Sequence, residues 1–272
     1  MKNILEAPFL TEIIRTTANM YRLGWDERNS GNITYLLGEI EAKEYAEGCK
    51  VIKTFPINFN AKELAGKIFL VTGTGKYFKN IQYEPQENLG LLKISDDGFA
   101  AQLLWGFSKE ASPTSEFSAH LMCHITRLKS NPAGKIIMHA HPCNLTAMTF
   151  VHSIDEREFT RKLWQLCIEG IVVFPEGIAV LPWMLCGTQE IAEATAKKME
   201  SFRLVMWAQH GIFGAGTSID EAFGLIETAE KAAEIFIKTM HMPDLNLPSD
   251  RQIIALAEKW NVTYRKDWLS ST

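Results

Sequence analysis

Two histidines two residues apart close an apolar run at residues 135–144, KIIMHAHPCN. An imidazole can ligate a metal, carry a proton or sit hydrogen-bonded in a core, so residue type alone leaves its role open. Spacing narrows the choice. In a strand, residues i and i+2 share a face, so His139 and His141 point the same way and Ala140 goes to the other side. A third candidate, His210, closes a second apolar stretch, LVMWAQHG. Two strands of one sheet that both end in histidine can bring three imidazoles together. Three histidines with an open position suit a catalytic zinc ion, because a structural site is normally closed by four protein ligands. Three histidines also suit other divalent transition metals.

A rival cluster lies upstream. Glu116, His120 and His124 are spaced i, i+4, i+8 and fall near one helix face. They could hold a metal of their own, form a solvated face, or lend only the acid to the first site. The cluster lacks a strand-end setting and an evident cleft. Known hydrolase patterns fit less well. An HxHxDH run needs aspartate where this chain has Cys143, and HExxH is absent. Cys143 itself reads as a small buried residue with no assignable role.

Three loops could bind an anion: NSGN at 29–32, TGTGK at 72–76 and PTSE at 113–116. Glycines let backbone N–H groups converge, and hydroxyls and amides add donors. The second is not a Walker loop, since the GxxxxGK spacing fails and Tyr77 stands where Ser or Thr belongs. Each alone also reads as an ordinary turn. Beside three histidines, the three together suggest a phosphorylated small molecule next to a metal. Thr114 or Ser115 is expected to cap a helix. That places Glu116 at the helix mouth, either as a complement to the dipole or as a general acid/base beside the metal.

The elements that must position these residues follow from periodicity. Residues 7–23 form a helix with Phe9, Ile13, Ile14 and Tyr21 on one face, ended by Gly24. Strands are expected at 33–37, 67–72, 135–141 and 204–210, with a hairpin from LGLLKI to AAQLLWG turning at Asp96, Asp97 and Gly98. IVVFPEGIAVLPW reads as strand, turn, strand, and GIFGAG as a glycine-rich turn. Helices are expected at 114–129, after Pro142, at 155–166, after an N-cap at Thr188, after an N-cap at Ser218, and at 249–260. Residues 38–66 are charged and weakly periodic and read as a surface insertion. Interleaved helices and strands imply a layered α/β or α+β domain.

Composition excludes several functions. The 272 residues suffice for a sizeable core. With 46% hydrophobic and 22% charged residues and a net charge of −4, the chain reads as a globular protein without the basic surface that nucleic acid would require. No apolar run reaches the roughly 18–20 residues that span a bilayer, and the N-terminus lacks the features of a signal peptide. Five scattered cysteines, Cys49, Cys123, Cys143, Cys167 and Cys186, form no CxxC pair. A reducing cytoplasm is therefore expected.

Taken together, GWDERNSGNIT, VTGTGKYF, PTSEFSAH, IIMHAHPCN, FPEGIAVLPWM and QHGIFGAG resemble the class II aldolase family over nearly the whole chain. The resemblance implies a single three-layer α/β/α domain over residues 1–272 around a mostly antiparallel sheet, assembled as a homotetramer. It implies Zn2+ on His139, His141 and His210, with Glu116 as catalytic acid/base. It places Asn29, Asn32, Thr74, Gly75, Thr114 and Ser115 around a substrate phosphate. Glu169 would face the aldehyde half, from its own or a neighbouring subunit. The implied activity is reversible cleavage of L-rhamnulose 1-phosphate to dihydroxyacetone phosphate and L-lactaldehyde in L-rhamnose degradation. Such a cleavage leaves an electron pair on carbon 3, delocalised as an enediolate that a Lewis acid stabilises. Other sugar-phosphate aldolases, 4-epimerases and a noncatalytic adducin-like head are the alternatives within the family.

Overall fold

The strands and helices follow in chain order. A computed structural model describes residues 2–108 and 110–270. They are α1 (Pro8–Leu23), β1 (Asn32–Leu36), α2 (Glu39–Ala46), β2 (Lys53–Pro56), β3 (Ile68–Thr72), α3 (Phe78–Ile81), α4 (Pro85–Asn88), β4 (Leu89–Ile94) and β5 (Ala100–Gly106). Then come α5 (Phe117–Ser130), β6 (Ile136–Ala140), α6 (Cys143–Val151), α7 (Glu156–Leu166), α8 (Gly170–Val173), β7 (Ile178–Leu181), α9 (Gln189–Lys198), β8 (Leu204–Trp207), β9 (Gly211–Gly216), α10 (Ile219–Thr239) and α11 (Asp250–Lys259).

All nine described strands form one sheet in the order β2-β5-β4-β3-β1-β6-β9-β8-β7. Every pairing is antiparallel except β7 with β8, which α9 connects as a crossover. Central strands are buried on both faces, as the unbroken burial of β1, β6 and β9 requires. Register places Asn32 opposite His139, and His139 opposite Phe213. Paired residues share a face, so Asn32, Thr34, His139 and Phe213 all look to one side. Helix α5 lies there, with His120 against Phe213 at 5.3 Å between ring centres. The opposite side carries Tyr35, which stacks on Phe9 of α1 at 5.5 Å, and Gly214 and Gly216, which meet α10. The result is helix, sheet, helix. Each fully buried side chain such as Phe9, Trp164 or Phe213 stabilises the fold by roughly 1.5–3 kcal/mol. Among the described residues no helix is long and apolar enough to cross a membrane.

Three local readings differ from expectation. GIFGAG is not a turn but the wholly buried strand β9. Its glycines serve close approach: a Cβ on Gly214 would lie 3.0 Å from Ile226, and one on Gly216 would lie 2.8 Å from the Ala222 nitrogen. Small residues let α10 settle onto the strand. IVVF is not a strand but the single helical turn α8, in which Val173 donates to the Glu169 carbonyl and Phe174 to that of Gly170. Packing of the fully buried Phe174 overrides the β propensity of its valines. Tyr21 is 46% exposed, and Thr16, Thr17 and Met20 complete the buried stripe of α1 instead. Gly24 does end that helix, in the left-handed region at φ 73°. Residues 38–66 carry α2 and the edge strand β2 and lend Ile57, Ala61 and Leu64 to a core cluster with Phe69 and Leu92.

Because Gly216 stands in extended backbone against the start of α10, Gly216→Ala is expected to lower stability by about 1–3 kcal/mol through overpacking. Thermal unfolding should show a drop of several degrees, and an unchanged midpoint would mean that α10 does not press on β9.

Candidate active site

His139 ends the central strand β6, and its imidazole is 1% exposed. His141 lies just beyond, fixed by its own N–H, which donates to the Trp25 carbonyl at 2.7 Å. The chain after it is clamped from α10. The Glu230 carboxylate accepts the Asn144 N–H at 3.0 Å and the Leu145 N–H at 2.7 Å, capping α6. His210 sits in the tight β8–β9 turn, after Gln209, which adopts a left-handed φ of 63°. The Gln209 N–H donates to the Thr149 hydroxyl at 2.8 Å, which helps hold a conformation that costs a non-glycine residue free energy.

These three histidines offer ligand atoms that all lie within 4.8 Å of one another. Proton placement decides what they can do. His139 Nδ1 lies 3.1 Å from the Ile212 carbonyl, which only accepts, so Nδ1 carries the hydrogen. His141 Nδ1 lies 3.1 and 3.2 Å from the two Glu27 oxygens and carries one for the same reason. Burial, reinforced by the neighbouring histidines, pushes His139 well below the ordinary imidazole range, so its ring is neutral. Burial likewise lowers His210 to about 4. Nε2 of His139 and Nε2 of His141, each on the ring edge turned away from its carbonyl or carboxylate partner, face each other at 3.1 Å. Whichever of them lacks a proton offers a lone pair to a cation lying between them. The separation is near that of two nitrogens on one tetrahedral ion, roughly 3.3 Å for bonds of about 2.0–2.1 Å. Backing of each ring by a carbonyl or a carboxylate is also what metal-ligating histidines show. The donor set fits a divalent transition metal.

Gly211 makes room for this. A Cβ there would lie 2.6 Å from the His141 ring and 2.9 Å from the His139 ring.

Glu116 stands beside the cluster, with Oε2 at 3.6 Å from His139 Nε2. Burial raises its pKa, and the Asn32 amide, donating to Oε2 at 2.8 Å, opposes the rise. Glu116 is itself the N-cap residue of α5, without a side-chain cap bond. Thr114, expected as the cap, instead closes the preceding turn: its carbonyl accepts from Phe117 at 3.0 Å and its hydroxyl from Glu116 at 3.4 Å. The anion-loop candidates converge. Thr74 donates its N–H to Ser112 at 2.9 Å and Thr114 to Thr72 at 3.0 Å, zipping the second loop to the third. Asn29, Asn32, Thr74, Gly75, Thr114 and Ser115 line one cleft with Glu116 and the three histidines.

Three further candidates lie outside this group. Glu169 is exposed, caps α8 and is not among the residues lining this cleft. His120 and His124 are buried and hydrogen-bonded to Thr34, so the helix cluster makes no second ligand group among the described residues. Glu27 was not singled out from the sequence, although its position within WDERN, just before the first anion loop, was a signal. Burial alone would raise its pKa, but its own backbone N–H and His141 hold it below the usual range.

Asp26 was also missed. It is 2% exposed, lies under Gly31, and neither carboxylate oxygen has a hydrogen-bond partner among the described residues. Burial, with Glu27 nearby, raises its pKa from 3.8 to about 8. The folded state thus keeps a proton that the unfolded chain has lost, so stability falls as pH rises through that interval. Asp26→Asn should match the parent in melting temperature near pH 4 and exceed it increasingly up to about pH 8. A difference independent of pH would show that the carboxyl is not held protonated.

Comparison with known proteins agrees with this geometry. Residues 11–237 match the Class II Aldolase and Adducin N-terminal domain. The chain is similar to a protein of Listeria monocytogenes serotype 4b named rhamnulose-1-phosphate aldolase, at 52% identity over 99% of both chains. A protein of that name from Enterococcus faecalis is 50% identical over 98% of this chain and 96% of its own. The crystal structure of a sugar-phosphate aldolase from Thermotoga maritima superposes with a TM-score of 0.75 at 29% identity, covering 87% of this chain and 97% of that one. With a family match over most of its length and relatives sharing half its residues end to end, the chain belongs to the class II aldolase and adducin N-terminal domain family.

Proposed function

We propose that the chain is a metal-dependent lyase that cleaves L-rhamnulose 1-phosphate reversibly to dihydroxyacetone phosphate and L-lactaldehyde. One observation carries the reading. Two imidazole nitrogens converge at 3.1 Å beside a buried carboxylate, in a cleft walled by amide and hydroxyl groups. The substrate is taken from the relatives' names, which cover both proteins almost completely.

His139, His141 and His210 are assigned to one Zn2+ per chain. Bound there, the ion supplies a Lewis acid that takes up negative charge developing on the substrate's carbonyl and hydroxyl oxygens. Asn29, Asn32, Thr74, Gly75, Thr114 and Ser115 are assigned to the phosphate. Anchoring that unreactive end fixes the reacting carbons beside Glu116. In cleavage, the bond between carbons 3 and 4 breaks, its electron pair stays with carbon 3, and the carbon 4 hydroxyl releases its proton to solvent as the aldehyde forms. Glu116 delivers a proton to carbon 3; in synthesis it removes one there. Burial raises the pKa of this carboxyl and so favours the form that delivers a proton, while the Asn32 amide favours the form that removes one. We assign the chain to one domain, to the cytoplasm and to a homotetramer. Glu169, outside its own chain's cleft, would reach the aldehyde half of a neighbouring subunit.

Glu116→Ala should keep its metal and lose about 100- to 10,000-fold in kcat for cleavage. Turnover at the parental rate would remove Glu116 from the chemistry. His210→Ala should lose bound metal, measured by elemental analysis of the purified protein, and full retention would exclude His210 as a ligand. Product identification with L-rhamnulose 1-phosphate, L-fuculose 1-phosphate and a chelator control tests the substrate. Preference for the second ester would reassign the specificity while keeping the aldol cleavage.

A further inference from the structure

Behind Glu116 and the cleft residue Asn32 runs a line of buried polar groups that the cleft does not use. The Asn32 amide nitrogen donates to Glu116 Oε2 at 2.8 Å, and its oxygen contacts His120 Nε2. His120 Nδ1 lies 2.9 Å from the Thr34 hydroxyl, which also lies 2.8 Å from His124 Nε2. Thr34 and His120 are fully buried and His124 is 1% exposed. Phe69 packs on the His124 ring and Phe213 on that of His120, at 4.9 and 5.3 Å between centres.

We propose that Thr34, His120 and His124 form a positioning chain that fixes the Asn32 amide in one orientation and, through it, the carboxylate of Glu116. The proposal rests on the aldolase reading above for its consequence on rate, but its geometry stands alone. A carboxylate only accepts, so the amide nitrogen of Asn32 must face Glu116 and its oxygen must face His120. His120 Nε2 therefore carries a hydrogen. Burial keeps the ring neutral, so Nδ1 is bare and the Thr34 hydroxyl donates to it. The remaining lone pair of that hydroxyl then accepts from His124 Nε2–H. Every donor in the chain points toward Glu116. Reversing any single member sets two donors or two acceptors against each other without solvent to relieve them, a costly arrangement in a buried site. An amide free to turn over would present its oxygen to Glu116 and push the carboxylate away from the reacting carbon. The chain explains why two histidines at i and i+4 on α5 are present but ligate nothing.

The test uses full-length, metal-loaded enzyme and two variants at a position outside the cleft. Thr34→Val keeps shape and removes the hydroxyl; Thr34→Ser keeps the hydroxyl. Thr34→Val should lower kcat for cleavage of L-rhamnulose 1-phosphate about ten-fold, the lower range for removal of a group that orients a reacting one. Bound metal per chain should stay unchanged, and Thr34→Ser should return kcat to the parental value. A purely structural role would reduce stability or metal content and leave kcat per metal-loaded chain intact. Independently of activity, 15N spectra of histidine-labelled parent protein should show His120 and His124 both protonated on Nε2 and bare on Nδ1. His120 protonated on Nδ1 would overturn the proposal, as would Thr34→Val with parental kcat or Thr34→Ser as slow as Thr34→Val. If Thr34→Val does not fold, the parental spectrum and Thr34→Ser still decide. If the parent fails to cleave this ester, the functional reading fails while the spectra continue to judge the chain.

Discussion

Nε2 of His139 and Nε2 of His141 face each other at 3.1 Å, each ring turned by a partner on its far edge. Much of the molecule is arranged to impose that contact. The Ile212 carbonyl, on the neighbouring strand, fixes the proton of His139 on the far side of its ring. Glu27 does the same for His141 from the loop after α1. Gly211 leaves the space that both rings occupy. Two imidazole nitrogens brought this close are arranged in advance for a shared cation, and a site formed only in the folded chain links metal affinity to folding.

The register of three strands transmits this constraint to the rest of the site. Asn32 pairs with His139, and His139 with Phe213. A slip of one residue in either pairing would send the side chains to the opposite face. The same alternation that turns His139 toward the cluster turns Asn32 toward Glu116 and Thr34 toward α5. The strand-borne histidines and the partners of the carboxylate are thus placed by one sheet, with Glu116 supplied from the N-cap of α5. Glycines on the opposite face of β9 let α10 close against it, and Glu230 of that helix caps α6 just after His141. Both faces of the sheet therefore bear on the same few residues.

The cleft residues were largely readable from sequence because they obey short periods. A spacing of two on a strand gives HAH, and small polar residues at turns give the anion loops. What could not be read depends on contacts between distant segments. Whether His120 and His124 bind metal or Thr34 turns on which strand face lies over α5. GIFGAG looks like a turn because glycine is rare in strands, and only the nearness of Ile226 and Ala222 explains it. The helical turn at IVVF has β-branched residues, and the burial of Phe174 decides against their propensity. Glu27 is one exposed acid among many until His141 is seen beside it. Glu169 has no partner in the cleft of its own chain, so a single chain's sequence and structure do not set its neighbours.

Burial of Glu116 sets two demands against each other. Burial takes the carboxylate out of water and raises its pKa, which favours the proton-carrying form. A general base must also release that proton near neutral pH. The amide of Asn32 is the counterweight, since a donor to the carboxylate favours the ionised form. A neutral amide suits this task better than lysine or arginine would. A full positive charge at that distance would hold the carboxylate ionised and would repel a cation on the histidines. The amide's weakness is that its two ends are nearly alike in shape, so it can turn over. Three further buried groups, His120, Thr34 and His124, remove that freedom. The number of polar side chains buried behind one carboxylate follows from choosing a neutral donor that has to be kept facing one way.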